Sequence, residues 1–349
     1  MRLLAFYLPQ FHPTEFNDKQ WGKGFTEWSN VTRAKPQYEG HYQPRLPAGL
    51  GFYDLRLDEV WKEQSQLAQD NGIYGFCYYY YRFDGQRQLR MPIDRAHNYS
   101  HPYGGVIPYC ICWANENWTR SWDGLNQNVL IEQNHNDDDD LAFIKEFGEM
   151  AIRDRYIKVN GKPLLLIYRT ELWADIKKTA KVWREYMKSK HNMDLYLVRC
   201  DGFKVNQNPQ DIGFDAAYQF PPLNFSNGSE SQGKVKLNAG FTGGIPDYNN
   251  WKKFVQNNPY KMFRGVMPSW DNTPRKMERA HIFHDSSPNS YKEWLKTAIE
   301  FTKQNFEGEE QIVFINAWNE WAEGAILEPC TQYGYEYLTK TKEALDESR

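Results

Sequence analysis

Short apolar runs recur along this chain, and each gives way to a polar stretch with helical spacing. The runs are Leu3–Leu8, Tyr74–Tyr81, Val106–Trp113, Pro163–Tyr168, Asp194–Arg199, Ala216–Phe220, Arg264–Pro268 and Gln311–Trp318. They are rich in β-branched and aromatic residues and have the length of strands buried on both faces. Between them, Asp54–Asp70 sets Leu57, Val60, Trp61, Leu67 and Ala68 on roughly one side and stops at Asn71-Gly72, as an amphipathic helix does. Glu171–Lys190 and Ser290–Asn305 read the same way. Asp137–Arg155 opens on a run of Asp residues. A metal cluster is one reading of that run, and first-turn acids facing the helix dipole are the simpler one.

Strands alternating with helices predict an α/β fold, a single (β/α)8 TIM barrel with enlarged loops at the C-terminal face of the strands. The expected unit is one domain over residues 1–349. No Gly-rich loop follows a strand, which argues against a dinucleotide-binding sheet. Pro13–Leu50, full of Gly, Pro and aromatics, reads as a long loop and is expected over the active-site mouth. Asn224–Asn250 is a second loop without an assigned place.

Composition narrows the picture. The net charge is −3 with both signs spread along the chain, so no basic face invites nucleic acid. No apolar run approaches the roughly 18–20 residues that span a bilayer. The N-terminus reads as the first strand rather than a leader, which points to the cytoplasm, or to the periplasm or exterior if a leader has been removed. Cys110 and Cys112 alternate on one strand, as buried thiols do, and the odd total of 5 cysteines suits neither a disulfide framework nor a metal site. His281-x-x-His284 has no third ligand at a suitable spacing, so no metal or other cofactor is expected. Aromatics reach 16%, with 13 Trp and 23 Tyr, more than a core needs; flat rings with polar edges suit a carbohydrate partner. The pattern sets no oligomeric state.

Active sites of such barrels form at the C-terminal ends of the strands. The residues there are polar and aromatic. Tyr7, Gln10 and His12 close the first strand, with Glu27 and Trp28 in the loop beyond. The second strand offers Tyr79 and Tyr81, because alternation turns Tyr80 the other way. Trp113, Asn115, Glu116, Trp118 and Arg120 follow the third, Arg199 the fifth, and Trp270 and Asp271 the seventh. For Arg120 and Arg199, binding an anionic group competes with simple pairing to nearby carboxylates.

The eighth strand leads into Trp318-Asn319-Glu320-Trp321-Ala322-Glu323-Gly324. Two glutamates three apart on a helical turn have Cβ atoms about 5–6 Å apart. Glycoside cleavage uses two carboxyl groups, and close like charges raise one pKa toward that of a general acid. Glu320 and Glu323 are therefore the catalytic candidates. Trp318, Asn319 and Trp321 would wall and orient them.

The stretches Phe6–Pro13, Trp21–Trp28, Trp113–Gly124 and Ser269–Pro274 together resemble the WbsX-type family, associated with bacterial O-antigen and polysaccharide biosynthesis and often labelled glycosyltransferases. Asn319–Gly324, with Glu328-Pro329, is similar to the catalytic stretch of glycoside hydrolase family 99, the endo-α-mannosidases and endo-α-mannanases. That resemblance implies that Glu320 acts as a base on the sugar 2-hydroxyl, giving a 1,2-anhydro intermediate, and that Glu323 is the general acid/base. It also implies a manno- or rhamno-configured substrate. Ala322 departs from that family's usual His. The expected activity is a retaining, endo-acting glycoside hydrolase. Its rivals are a glycosyltransferase or transglycosylase of surface-polysaccharide assembly and a non-catalytic carbohydrate-binding barrel.

Overall fold

The structure, a computed structural model, describes residues 1–98, 107–120, 125–203, 207–223, 225, 230–253 and 259–349. Val106, the Arg120 side chain and parts of the Asn224–Asn250 loop lie outside the described residues.

Eight parallel strands close a barrel. They are β1 (Arg2–Tyr7), β2 (Ile73–Phe83), β3 (Tyr109–Trp113), β4 (Lys162–Ile167), β5 (Tyr196–Asp201), β6 (Ala216–Gln219), β7 (Met262–Val266) and β8 (Ile312–Ile315). β1 closes the ring, pairing with β8 through Leu3 opposite Val313 and with β2 through Ala5 opposite Phe76. Each run expected from the sequence overlaps one of these strands, with ends shifted by one or two residues in most of them. β8 is shorter than expected, because Asn316 to Trp318 leave the barrel toward the site.

The helices, in chain order, are α1 (Glu15–Trp21), α2 (Glu27–Arg33), α3 (Asp58–Asp70), α4 (Met91–His97), α5 (Asp137–Ala151), α6 (Ile176–His191), α7 (Thr273–Lys276), α8 (Pro288–Asn305) and α9 (Glu336–Glu347). The four helices expected from periodicity are α3, α5, α6 and α8; α5 starts at Asp137 as expected and ends earlier, and the other three have shifted starts. Asp175 caps α6 by accepting the Lys178 N–H, so the helix begins after a separate turn at Thr170–Leu172. The Asp run does form a first turn, capped by Asn136. Its acids go to different partners: Asp137 to Lys178 (2.6 Å), Asp139 to Arg82 (2.6 Å), and Asp140 to Trp173 and Thr179. No group suited to a metal occurs among the described residues. No helix among them is long and apolar enough to cross a membrane.

Alternation along the strands sorts side chains between the barrel interior and the helix layer. Phe6 points inward against Phe220 (4.9 Å between centroids), Tyr79 (5.4 Å) and Phe314 (5.8 Å). Tyr7, its neighbour, points outward and donates to Gln64 of α3 at 2.7 Å. On β3, Cys112 meets Tyr218 inside, whereas Trp113 stacks on Phe143 of α5 at 4.1 Å. This filled interior is a packed core.

Residues 13–50 are not one irregular loop, as expected from the sequence, but carry two short helices. The segment forms α1 and α2 and then a strap, residues 34–50, that runs behind the turn following β8. Pro47 there bridges Cys330, and Ala48 N–H donates to Pro329.

Candidate active site

The turn after β8 is not the single helical turn expected from the Glu-x-x-Glu spacing. Asn319–Glu320 and Ala325–Ile326 form a short antiparallel pair, and a 3-10 turn at Trp321–Glu323 joins them. Gly324 closes the turn with φ 61°, and a Cβ there would sit 3.0 Å from Asp271 Cβ. Both the backbone angle and the close approach require glycine. Asn319 anchors the pair to β1: its Oδ1 accepts the Leu8 N–H at 2.7 Å and its Nδ2 donates to the Leu8 carbonyl at 3.1 Å.

Glu320 and Glu323 meet at Arg275, the third residue of α7. The guanidinium reaches Glu323 Oε1 at 2.5 Å, Glu320 Oε2 at 3.1 Å and, through Nε, Glu27 Oε1 at 3.1 Å. One cation thus faces three carboxylates, with Lys276 adding positive potential at Glu323. Burial pushes Glu320 well above the usual carboxylate range, and Glu323 beside it pushes in the same direction while Arg275 opposes. Burial raises Glu323 and Glu27 too, against Arg275. Arg275 itself, though buried, is held above its ordinary value by Glu27, Glu323 and Glu320. A single guanidinium does not fully compensate three buried negative charges, so the cluster binds protons more tightly than exposed glutamates do.

Glu320, Glu323 and Arg275 open onto a cleft of about 760 Å³ at the C-terminal ends of the strands, large enough for an oligosaccharide segment. Its walls carry Tyr79, Tyr81, Trp118, Tyr168, Phe220 and Trp270. Tyr81 stacks on Trp118 at 5.4 Å. The far end is polar, with Glu116, Asn117, Gln133, Asn134, His135 and Arg169. Arg169 there is ion-paired with both Glu116 and Glu171 and lies over the Phe203 ring at 4.0 Å. Burial raises the Glu116 carboxyl against the pull of Arg169.

Of the residues singled out from sequence, Tyr79, Tyr81, Glu116, Trp118, Trp270, Glu320 and Glu323 line the cleft. The others lie outside its lining. Tyr7, Trp113 and Arg199 face away from the barrel interior; Arg199 bonds the Cys200 and Gln207 carbonyls and Asp201. Trp318 packs on Phe76, and Trp321 donates to Glu328 at 2.6 Å. Trp28 packs on Trp321 and donates to the Tyr53 carbonyl. Gln10 is buried, its carbonyl taking the Glu27 N–H. His12 is buried near Asp54, Arg56 and Arg95, and burial lowers its pKa to about 4. Asn115 and Asn319 are anchors: Asn115 bonds both the N–H and the carbonyl of Arg169. Glu27 stands behind Arg275, and Asp271 is wholly buried beneath α7.

Sequence reasoning missed Arg275, Tyr168, Phe220, His135 and Arg169. Tyr168 and Phe220 close predicted strands and were within reach of the strand-end rule. Arg275 was not, since its importance rests on carboxylates 45, 48 and 248 residues away.

A family model described as Glycosyltransferase WbsX matches residues 3–341. Two curated relatives, each called uncharacterized protein WxcX, from two strains of Xanthomonas campestris pv. campestris, are 44% identical over 346 residues; the match takes in 98% of this chain and 49% of the relative. The chain thus spans about half the length of the curated relatives it matches. Among solved structures, a glycoside hydrolase-like protein aligns with TM-score 0.59 and 15% identity over 98% of this chain and 93% of its own. The GH99 endo-alpha-mannosidase from Bacteroides thetaiotaomicron aligns with TM-score 0.58 and 14% identity over 100% of this chain and 97% of its own. At these identities the likeness is one of fold.

Proposed function

This chain belongs to the WbsX glycosyltransferase family, and from that premise we propose that it cleaves glycosidic bonds with Glu320 and Glu323 as its working carboxylates. The observation that carries the reading is the convergence of both glutamates on Arg275 at the floor of an aromatic-walled cleft. Burying like charges together is costly, and sites that do so commonly use the shared proton. The substrate is a polysaccharide or oligosaccharide and the action endo, a reading supported by the size of the cleft and its lining by Trp270, Tyr81, Trp118 and Asn134.

Roles follow from the resemblance to family 99. Glu320 removes the 2-hydroxyl proton as that oxygen attacks C1 and Glu323 protonates the leaving oxygen; the resulting 1,2-anhydro sugar is opened at C1 by water that Glu323 deprotonates, while Glu320 returns its proton to the 2-oxygen. A manno- or rhamno-configured ring meets the geometry of that step. In the free protein, burial and Glu323 favour the proton on Glu320. Glu320 acts as base once that proton leaves, and Arg275 at 3.1 Å favours the ionised form. The acid limb of the rate profile is therefore expected above the ordinary glutamate range.

A second reading, transfer of a glycosyl group to a sugar acceptor, is favoured by the description of the family. Use of a nucleotide-sugar donor is disfavoured by the cleft's electrostatics, since Arg275 and Arg169 are each committed to carboxylates and a diphosphate would meet Glu116, Glu320 and Glu323.

Reducing-end release from mannans, rhamnans and O-antigen polysaccharides, compared among wild type, Glu320→Gln and Glu323→Gln, tests the proposal. Loss of turnover by at least about a hundredfold in both variants, with the fold kept, is expected. Glycan binding without cleavage, unchanged by either substitution, refutes it, and release of nucleoside diphosphate from a nucleotide sugar establishes the transferase instead.

A further inference from the structure

Midway along its course the strap of residues 34–50 meets Asp271. This carboxylate is fully buried and far from idle. Oδ2 accepts from His41 Nε2 at 2.8 Å and Gln43 Nε2 at 2.6 Å, both on the strap. Oδ1 accepts the N–H of Thr273 at 3.0 Å and its hydroxyl at 2.6 Å. The other ring nitrogen of His41 accepts the Gln37 N–H at 3.0 Å, which selects the tautomer that donates to Asp271. These bonds, with His41 and Arg45 nearby, hold Asp271 well below the usual carboxylate range despite its burial.

What Asp271 touches next matters most. Thr273 is the first residue of α7, which carries Arg275. The Asp271 N–H donates to the Glu323 carbonyl at 2.6 Å. Arg45 of the strap donates to the Gly324 carbonyl at 2.9 Å, and Ser269 donates to the same oxygen. Asp271 is thus tied through its side chain to the first residue of the helix that carries the cation, and through its backbone N–H to the backbone of one acid of the site, while lying outside the cleft lining.

We propose that the strap, acting through His41 and Gln43 on Asp271, positions Arg275 against Glu320 and Glu323. Asp271 is a positioning residue in this reading, which rests on the proposed role of the two glutamates; it makes no contact with sugar. The arrangement has a physical purpose. Arg275 must satisfy three carboxylates at once, and a four-residue helix has too few bonds of its own to fix that angle.

The test is thermal unfolding across pH 5.5–8 for wild type, Asp271→Asn, Glu320→Gln and the double variant. Asparagine keeps an acceptor for Thr273 and places an amide against the His41 and Gln43 donors. A loosened Arg275 leaves the carboxylates undercompensated as they ionise. The gap in midpoint between wild type and D271N is therefore expected to widen with pH, by roughly 2 °C or more, and E320Q is expected to remove most of the widening. Other charged groups enter the comparison. His41, Arg45 and Tyr38 face Asp271; Glu27, Glu320, Glu323 and Tyr81 face Arg275, and Lys276 faces Glu323. His41→Ala is expected to widen the gap like D271N, whereas His41→Gln, whose amide still donates, largely preserves wild-type behaviour. If D271N does not fold, H41A carries the same cycle. A constant or narrowing gap, or a widening that E320Q leaves intact, overturns the proposal. With a cleavable glycan, D271N lowers kcat about tenfold or more with little change in KM. Widening without any glycan turnover by wild type defeats the hydrolase reading and leaves the positioning role standing.

Discussion

Arg275 is the residue on which the site depends. Its three nitrogens each address a different carboxylate, a division of labour that suits the planar guanidinium fork and not an ammonium. Arg275→Lys should keep the charge and lose the geometry, cutting turnover by at least about tenfold. Arg275→Met should destabilise the fold by about 3–5 kcal/mol at pH 8, because it strands buried carboxylates. That cost should shrink at pH 5, where the glutamates take up protons instead. Equal cost at both pH values in urea titrations would show that Arg275 serves packing alone. The glutamate pair itself could be picked out in sequence, since two acids after an apolar strand and among tryptophans have few structural uses. Arg275 could not, being one of many basic residues in a loop.

Among the elements, the turn after β8 bears the tightest constraint. Gly324 sits at φ 61° with Asp271 against its missing side chain, and its carbonyl receives Arg45 and Ser269. Gly324→Ala should therefore cost about 1–3 kcal/mol from backbone strain and also displace Glu323. Circular dichroism melts together with a glycan turnover assay would check it; an alanine variant as stable and as active as wild type would mean that the turn relaxes freely. The helices α3, α5, α6 and α8 were readable because an apolar stripe repeats along each. α1, α2, α4 and α7 are one to two turns long, too short to show a period. The residue sets of β2 and β3 divided as alternation requires, sending Tyr79, Tyr81 and Cys112 inward and Tyr78, Tyr80 and Trp113 to the helices.

For the whole molecule, the buried acids set a pH dependence whose sign can be worked out. Burial raises the Glu328 carboxyl to about 7, despite hydrogen bonds from Trp321, Gln64 and Tyr53. Glu320, Glu323 and Glu27 shift the same way. Such groups bind protons more tightly folded than unfolded, so their stabilising contribution is complete below the unfolded glutamate pKa and is lost as pH rises toward the folded values. His12, lowered by burial to about 4, adds a contribution that is lost as pH falls below its unfolded value. Asp194, held at about 2 by Lys162 and Arg184 against its burial, behaves likewise at lower pH. Stability should peak in mildly acidic solution and decline between about pH 6 and 8. Urea midpoints across that range check it, and a steady rise from 6 to 8 would show the carboxylates to be ionised and compensated in the fold.

The strand count, the closed barrel and the glutamate pair were fixed by the amino-acid sequence alone, because period-two and helical patterns are local and each apolar face has one place to go. The strand-end rule also located Tyr79, Tyr81 and Trp270 near the mouth, while placing Tyr7, Trp113 and Arg199 there too. Alternation of the pleat turns those three outward. What only the tertiary structure decided is the partnership of the site. Glu27 and Arg275 are 248 residues apart, and His41 and Asp271 are 230. No local periodicity records such a meeting, since it arises where two loops on adjacent parts of the barrel rim are packed together and must satisfy each other's buried charges.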